Sequence, residues 1–365
     1  MQTLSQSPLA RTVAQTPTDI WNDSCAVDEL EYAIAFGAVG ATANPTIVVD
    51  VWKKDPTRWA DRVRRLAAEQ PAWSEGELAW AVVEEMSVRG AALLEETFEA
   101  HRGRAGRLSM QTNPTLFRST ERMVEQGIGF DRLARNIIVK FPATAAGIAA
   151  MEEATYRGVS INATVSFSVA QAIASAEAVE RGMRRREAED QPTDTMGPVI
   201  TIMMGRLEDW LRVLTERDGI VVDPTALPWS GVAVFKRAYG LFRERGYRAR
   251  LLGAAIRHHL HWSELIGGDV IITLPSSWQK RFNTSSIEVR PRMDDPVDPR
   301  HVDELSVHFP DFVRAYEPDG LAIPEFDAFP PSVRTLRAFG ASYHDLLHLV
   351  SDALLPNPDL TPARA

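Results

Sequence analysis

A chain of 365 residues, 45% of them hydrophobic, is long enough for one large α/β barrel or two smaller domains with a substantial core. The net charge of −9 and isoelectric point near 5.5 leave no global basic footprint, which argues against nucleic acid or anionic membrane as a partner and for a small ligand. A single cysteine, Cys25, excludes an internal disulfide framework and thiolate metal clusters, fits a reducing compartment, and reads as a small core residue.

The opening residues, 1–17, lack a basic start followed by an apolar run, and no later segment approaches the apolar length needed to cross a bilayer. A cytoplasmic, soluble protein with a loose N-terminal tail is expected. Short β-like runs follow at 19–23, 39–43, 106–111, 136–141, 160–166, 198–204, 248–254 and 269–274, and helical periodicity fills stretches between them such as 144–156, 169–181 and 231–243. That alternation predicts a parallel sheet, and eight units predict a (β/α)8 TIM barrel, an α/β fold, over an open doubly wound sheet. No GxGxxG fingerprint follows the first run, so nothing supports a dinucleotide-binding half, and no cofactor is expected. Residues 185–194 read as an exposed loop before the sixth strand. Beyond about residue 290, Pro-rich DDPVDPR and FPP surround a final helix over 332–355. The expected organisation is a tail (1–17), a barrel (18–290) and a C-terminal helical extension packed on it (291–365).

Strand parity sorts the barrel interior from the helix-facing exterior. In RLSMQTN, Ser109, Gln111 and Asn113 share one face; in NATVSF the polar set is Asn162, Thr164 and Ser166. Lys140 lies on the strand between, in NIIVKFPATAAG, with Pro142 ending the strand and Thr144 placed to cap the next helix. Polar groups on three successive strands converge where barrel active sites form, at the C-terminal mouth. An enclosed lysine loses hydration, and its pKa falls toward the range in which a neutral amine attacks a carbonyl. A lysine that snorkels past the rim is the other reading, and strand pattern alone leaves both open.

Longer segments resemble the transaldolase family in order along the chain. WNDSCAVDELEYAIAFGAVGATANPTI is similar to the family's first strand with its aspartate and to its TTNP-type second strand, placing Asp23, Thr42, Asn44 and Pro45 on matching positions. NIIVKFPATAAGIAAM resembles the lysine strand, GVSINATVSFSVAQAIASAEA the fifth strand and helix, IMMGRLEDWL the sixth, and LLGAAIRHHLHWSELIGGDVIITLP the seventh and eighth. The resemblance spans residues 19–282, whereas the tail beyond about residue 290 carries none. It implies a (β/α)8 barrel whose strand-4 lysine, here Lys140, forms a Schiff base with a ketose phosphate and transfers a dihydroxyacetone unit, with a place in the pentose phosphate pathway of carbohydrate metabolism. It further implies Asp23 as general acid and base, and Asn44 and Asn162 as ligands of the sugar hydroxyls, with Thr42 and Ser166 beside them. Thr164 would orient a water near the imine. Arg206 and Arg257 match the phosphate-binding arginines and Thr201 a phosphate-side hydroxyl, while Ala255 replaces another hydroxyl. A homodimer is compatible with the family.

One departure concerns proton transfer. Gln111 stands where the family usually carries glutamate, and an amide neither accepts nor releases a proton at neutral pH. The fructose-6-phosphate aldolase branch has glutamine there, paired with a strand-6 tyrosine, but the matching position here is Met203. A Schiff-base transaldolase or aldolase of altered specificity, a degenerate homologue that binds sugar phosphate without turnover, and an unrelated barrel chemistry therefore stand side by side.

Other features read more plainly. His258, His259 and His261 are expected as loop and surface histidines without a metal, because no carboxylate motif lies nearby in sequence. His344 and His348 form a helix face, HDLLH lacking the glutamate of HExxH. Trp262 and Trp278 read as packing residues, and the arginine runs near Arg62 and Arg184 as solvated charge.

Overall fold

In the computed structural model, which describes residues 7–360, the strands are β1 (Asp19–Asn22), β2 (Gly40–Thr42), β3 (Arg107–Gln111), β4 (Ile137–Pro142), β5 (Ile161–Thr164), β6 (Val199–Met203), β7 (Arg250–Ala254) and β8 (Ile271–Leu274). Each runs parallel to the next, and β8 returns to β1 with Asp19 beside Ile271 and Asn22 beside Leu274, closing an eight-stranded barrel. The protein is thus a (β/α)8 barrel, with strand limits within two residues of those expected. Strands covered on both faces need no polar alternation. Ile137, Ile138, Val139 and Phe141 of β4 are all buried, as are Val199, Ile200 and Ile202 of β6.

Helix starts follow local chemistry. Thr144 accepts the Gly147 N–H at 3.0 Å and begins the helix Ala145–Tyr156, and Ser168 accepts the Gln171 N–H at 3.1 Å at the start of Val169–Glu187. The latter helix runs further than its apolar periodicity, so the expected loop over 185–194 is helical through Glu187 and exposed turns beyond. No helix among the described residues is long and apolar enough to cross a membrane.

The expectation of a loose N-terminal tail is corrected for residues 7–17. Ser7 caps the helix Pro8–Gln15, Pro8 presets its first turn, and Leu9 and Thr12 are buried against β1 and the helix Ser276–Asn283. The Leu9 N–H donates to Asn283 Oδ1 at 3.2 Å. A short amphipathic segment thus finds an apolar seat, which composition alone does not reveal; residues 1–6 lie outside the described residues.

The C-terminal segment contains helices Pro299–His308, Pro310–Tyr316 and Pro330–Leu354. Pro330–Leu354, about 37 Å long at 1.5 Å per residue, packs on Pro45–Lys54, which follows β2, and on Met204–Asp218, which follows β6. Those strands lie on opposite sides of an eight-stranded barrel, so this helix spans the C-terminal mouth. It is tied down by Thr46 to Ser342 (2.8 Å between hydroxyls), Gln171 Nε2 to Ser332 Oγ (3.2 Å) and Arg64 Nη1 to the Ala353 carbonyl (3.2 Å).

The helix Ala145–Tyr156 sits so close to the end of β4 that a Cβ on Gly147 would lie 1.8 Å from the Pro142 carbonyl oxygen. Gly147→Ala is therefore expected to force this helix off the lysine strand and to lower stability by about 1–3 kcal/mol. Denaturant unfolding checks this; a wild-type midpoint would show that the helix yields freely.

Candidate active site

Lys140 is buried on β4, flanked in register by Gln111 on β3 and Asn162 on β5. Its Nζ makes one long hydrogen bond, 3.4 Å to the Ala43 carbonyl. Burial deprives the ammonium of water and pulls its pKa from 10.5 down to about 8, a fall that the nearby Asp23 carboxylate opposes. The amine is inside the mouth, so the snorkelling reading does not describe it.

Asp23 follows β1 directly, its N–H bonded to the Leu274 carbonyl at 2.9 Å. Thr42 Oγ1 donates to Asp23 Oδ1 at 2.6 Å and lies 3.0 Å from Thr273 Oγ1. Because Thr42 has one hydroxyl proton and gives it to Asp23, Thr273 is the donor to Thr42. Strands β8, β2 and β1 thus supply a hydroxyl chain that orients the carboxylate.

A cavity of about 250 Å3 opens at this end of the barrel and brings together Asp23, Thr42, Asn44, Lys140, Thr164, Thr201, Arg206 and Arg257. Asn44 also caps the helix Pro45–Lys54, its Oδ1 accepting the Ile47 N–H at 3.0 Å, which leaves the amide nitrogen for a ligand. Thr201 Oγ1 donates to Asn162 Oδ1 at 2.8 Å.

Three expected site residues lie off the cavity wall. Asn162 is fully buried between neighbours, its Nδ2 donating to Ser109 Oγ at 2.9 Å while its Oδ1 accepts from Thr201, and it supports the floor. Gln111 borders a narrow adjoining recess with Asn44, Trp80 and Tyr343, its Oε1 buried without a hydrogen-bond partner among the described residues. Ser166 is buried, with its hydroxyl likewise unpartnered. Parity fails at Ser166 because Val165 takes a left-handed φ of 51°, strained for a β-branched residue. Gln171 holds that bend: its Nε2 donates to the Val165 and Ala143 carbonyls and its Oε1 accepts the Phe167 N–H. Asn113 also leaves the strand pattern, its Oδ1 accepting from the N–H and hydroxyl of Thr115.

On the far side of the cavity, Arg206 makes no hydrogen bond or ion pair among the described residues; burial, and then the neighbouring Arg257, hold its pKa below the ordinary guanidinium value. Arg257 is instead held by Asp209 through two bonds, Nε to Oδ1 at 3.0 Å and Nη2 to Oδ2 at 2.7 Å. One committed and one uncommitted guanidinium facing the same space suit an anion.

The histidines depart from expectation. His261 is fully buried and His258 partly so, and Glu208, itself buried, supplies from a distant segment the carboxylate that sequence proximity did not offer. The three donor atoms lie within 4.8 Å of one another. His261 Nδ1 accepts the Arg257 N–H at 3.2 Å, so the neutral ring carries its proton on Nε2, which lies 3.6 Å from Glu208 without a hydrogen-bond partner among the described residues. Burial drives the His261 pKa well below its usual value, in keeping with that neutral form. His344 and His348 are exposed on the C-terminal helix, Cys25 is a buried thiol pushed up to about 12 by burial, and Trp262 stacks on Phe282 at 4.6 Å.

Among the wall residues that sequence reasoning missed are Thr273, Asp50 and Phe339. Thr273 sits on β8, where a lone threonine between apolar residues carries no signal; Asp50 lies more than a turn and a half beyond the Asn44 cap; Phe339 comes from the helix across the mouth, in a segment that carries no family resemblance.

Asp23 raises the Lys140 pKa, so removing its charge should lower it. Asp23→Asn is expected to move the midpoint of Lys140 amine labelling below about pH 8, as read from pH-dependent acylation and peptide mass analysis. An unmoved midpoint would place the carboxylate out of reach of the amine.

The family model for transaldolase/fructose-6-phosphate aldolase matches residues 20–322. A protein named transaldolase from Thiobacillus denitrificans is 26% identical over 369 residues, covering 93% of this chain and 98% of its own length. Another so named, from Neisseria meningitidis serogroup A, is 27% identical over 273 residues, covering 70% and 76%. The family match runs past the expected limit at residue 282 and takes in the helices Pro299–His308 and Pro310–Tyr316. The chain belongs to the transaldolase/fructose-6-phosphate aldolase family and is a transaldolase-like transferase.

Proposed function

We propose that this protein forms a Schiff base between Lys140 and a ketose phosphate and transfers the resulting dihydroxyacetone unit to an aldose phosphate, as a cytoplasmic enzyme of sugar-phosphate metabolism. The observation that carries this reading is the buried Lys140 amine, its pKa drawn down to about 8, in one cavity with the Asp23 carboxylate and two arginines. Near pH 8 about half of such amines are neutral, and the lone pair can attack the ketose carbonyl. Loss of water from the carbinolamine leaves a protonated imine. As Asp23 takes the proton of the C4 hydroxyl, the C3–C4 bond breaks, its electron pair passes into the imine and the aldose leaves. The enamine then adds through C3 to the acceptor aldehyde while Asp23 returns the proton, and water releases Lys140.

In this scheme Asn44 holds the hydroxyls of the dihydroxyacetone end, Thr164 orients a water near the imine, and Thr201 lies on the phosphate side, where Arg206 and Arg257 bind the phosphate. Asn162 acts from beneath by fixing Thr201. Gln111 cannot shuttle a proton during dehydration, and Met203, beside Thr164 with its sulfur 3.9 Å from the hydroxyl, offers no phenol in its place. That absence supports a second reading, a sugar-phosphate binder with little or no turnover.

Borohydride reduction in the presence of fructose 6-phosphate is expected to leave a mass adduct on Lys140, absent in Lys140→Ala. No adduct with any ketose phosphate would sink the Schiff-base reading, and an adduct without transfer to erythrose 4-phosphate or release of dihydroxyacetone would favour the binder. Gln111→Glu supplies the missing acid/base group and is expected to raise transfer activity toward the roughly hundredfold such a group contributes. An unchanged or lower rate would show a site adapted to the amide.

A further inference from the structure

The loop after β7 carries Arg257, and it leaves the strand through an unfavourable bend. Ala255 adopts a left-handed φ of 61°, a conformation that persists only where the surroundings hold it. Part of that hold is contact: a Cβ on Gly205 would fall 1.9 Å from the Ala255 carbonyl oxygen and 2.7 Å from Arg257 Cγ, so the start of the helix Met204–Asp218 lies directly against the bend. The rest is a polar cluster outside the cavity that the proposed chemistry does not use.

Glu208, 2% exposed, is its centre. One carboxylate oxygen accepts from Arg212, with Nη2 at 2.6 Å, while the other faces His258 Nε2 at 2.8 Å and His261 Nε2 at 3.6 Å. His261 in turn accepts the backbone N–H of Arg257. Asp209, next in sequence, grips the guanidinium of the same residue. One helical turn therefore meets Arg257 at both ends: Asp209 binds its guanidinium, and Glu208 binds His258, whose ring packs at 4.0 Å on that of His261, the acceptor of the Arg257 N–H.

We propose that Glu208, His258 and His261 are positioning residues that hold Arg257 for the substrate phosphate; the inference rests on the phosphate role given to Arg257 above. Neither histidine touches the cavity in this arrangement. Their effect reaches the ligand through the loop, and a small displacement of a binding group is enough to weaken it.

Calorimetric titration of the full chain with inorganic phosphate tests this without needing turnover. His258→Ala, a change at a partly exposed residue, is expected to weaken phosphate about tenfold, the scale of a lost hydrogen bond to a charged group. His258→Gln, whose amide can still donate to Glu208, should recover most of the loss, and His344→Ala should change nothing. With fructose 6-phosphate, His258→Ala should raise KM while leaving kcat within about twofold. Glu208→Leu provides a second test if it matches the wild type in circular dichroism. Wild-type phosphate affinity in His258→Ala, or no phosphate binding by the wild type, overturns the proposal. So does stoichiometric zinc uptake by the wild type that is lost in His261→Ala, since Nε2 would then be a ligand and could not carry the ring proton while Nδ1 accepts from Arg257. Failure of the Lys140 adduct alone refutes the imine chemistry and leaves the phosphate result to be judged separately.

Discussion

A primary amine withdrawn from water is the constraint to which the rest of this molecule is fitted. Lys140 sits in a strand whose other side chains bury themselves completely, and it keeps one long hydrogen bond in exchange for its hydration. A charge in that position is tolerable only near a countercharge or in its neutral form. Asp23 provides the first, from β1 on the opposite side of β2 and β3, and the lowered pKa expresses the second. Barrel closure is what makes both possible, because it brings strand ends that are far apart in sequence around one small space.

Around that space, two bends are held in part by buried polar side chains. Gln171 binds the bend at Val165 from inside, and Glu208 with its histidines binds the bend at Ala255. Both bends put a non-glycine residue in left-handed backbone at the edge of the site. Strain of this kind costs of order 1–3 kcal/mol at each position and must be offset by its surroundings. Fully engaged amide and carboxylate groups in a dry environment meet that need, since breaking one of their bonds leaves a desolvated partner.

Much of the barrel was legible in the sequence because its signal is local: apolar runs of four to six residues separated by helical periodicity, with Thr144 and Ser168 marking helix starts. The cavity-facing position of Lys140 and Thr164 followed from strand pattern, and that of Asp23 from the family resemblance alone. What could not be read depended on breaks in regularity or on long-range contact. Ser166 and Asn113 were assigned a face by alternation, and both lie past the last regular residue of their strands. His261 is buried beside Glu208, more than fifty residues away, and the N-terminal helix is seated against Asn283, in the helix that follows β8. No pattern along the chain encodes such pairings.

The helix Pro330–Leu354 makes the site depend on chain outside the strands. The eight strands end at residue 274, yet Phe339, one wall of the cavity, comes from the helix near the end of the described chain. The mouth of the barrel is thus walled in part by a segment that follows all eight strands in the chain. The cavity beside Lys140 is therefore complete only with that C-terminal helix in place, and a chain ending at residue 290 would hold all eight strands and lack this wall.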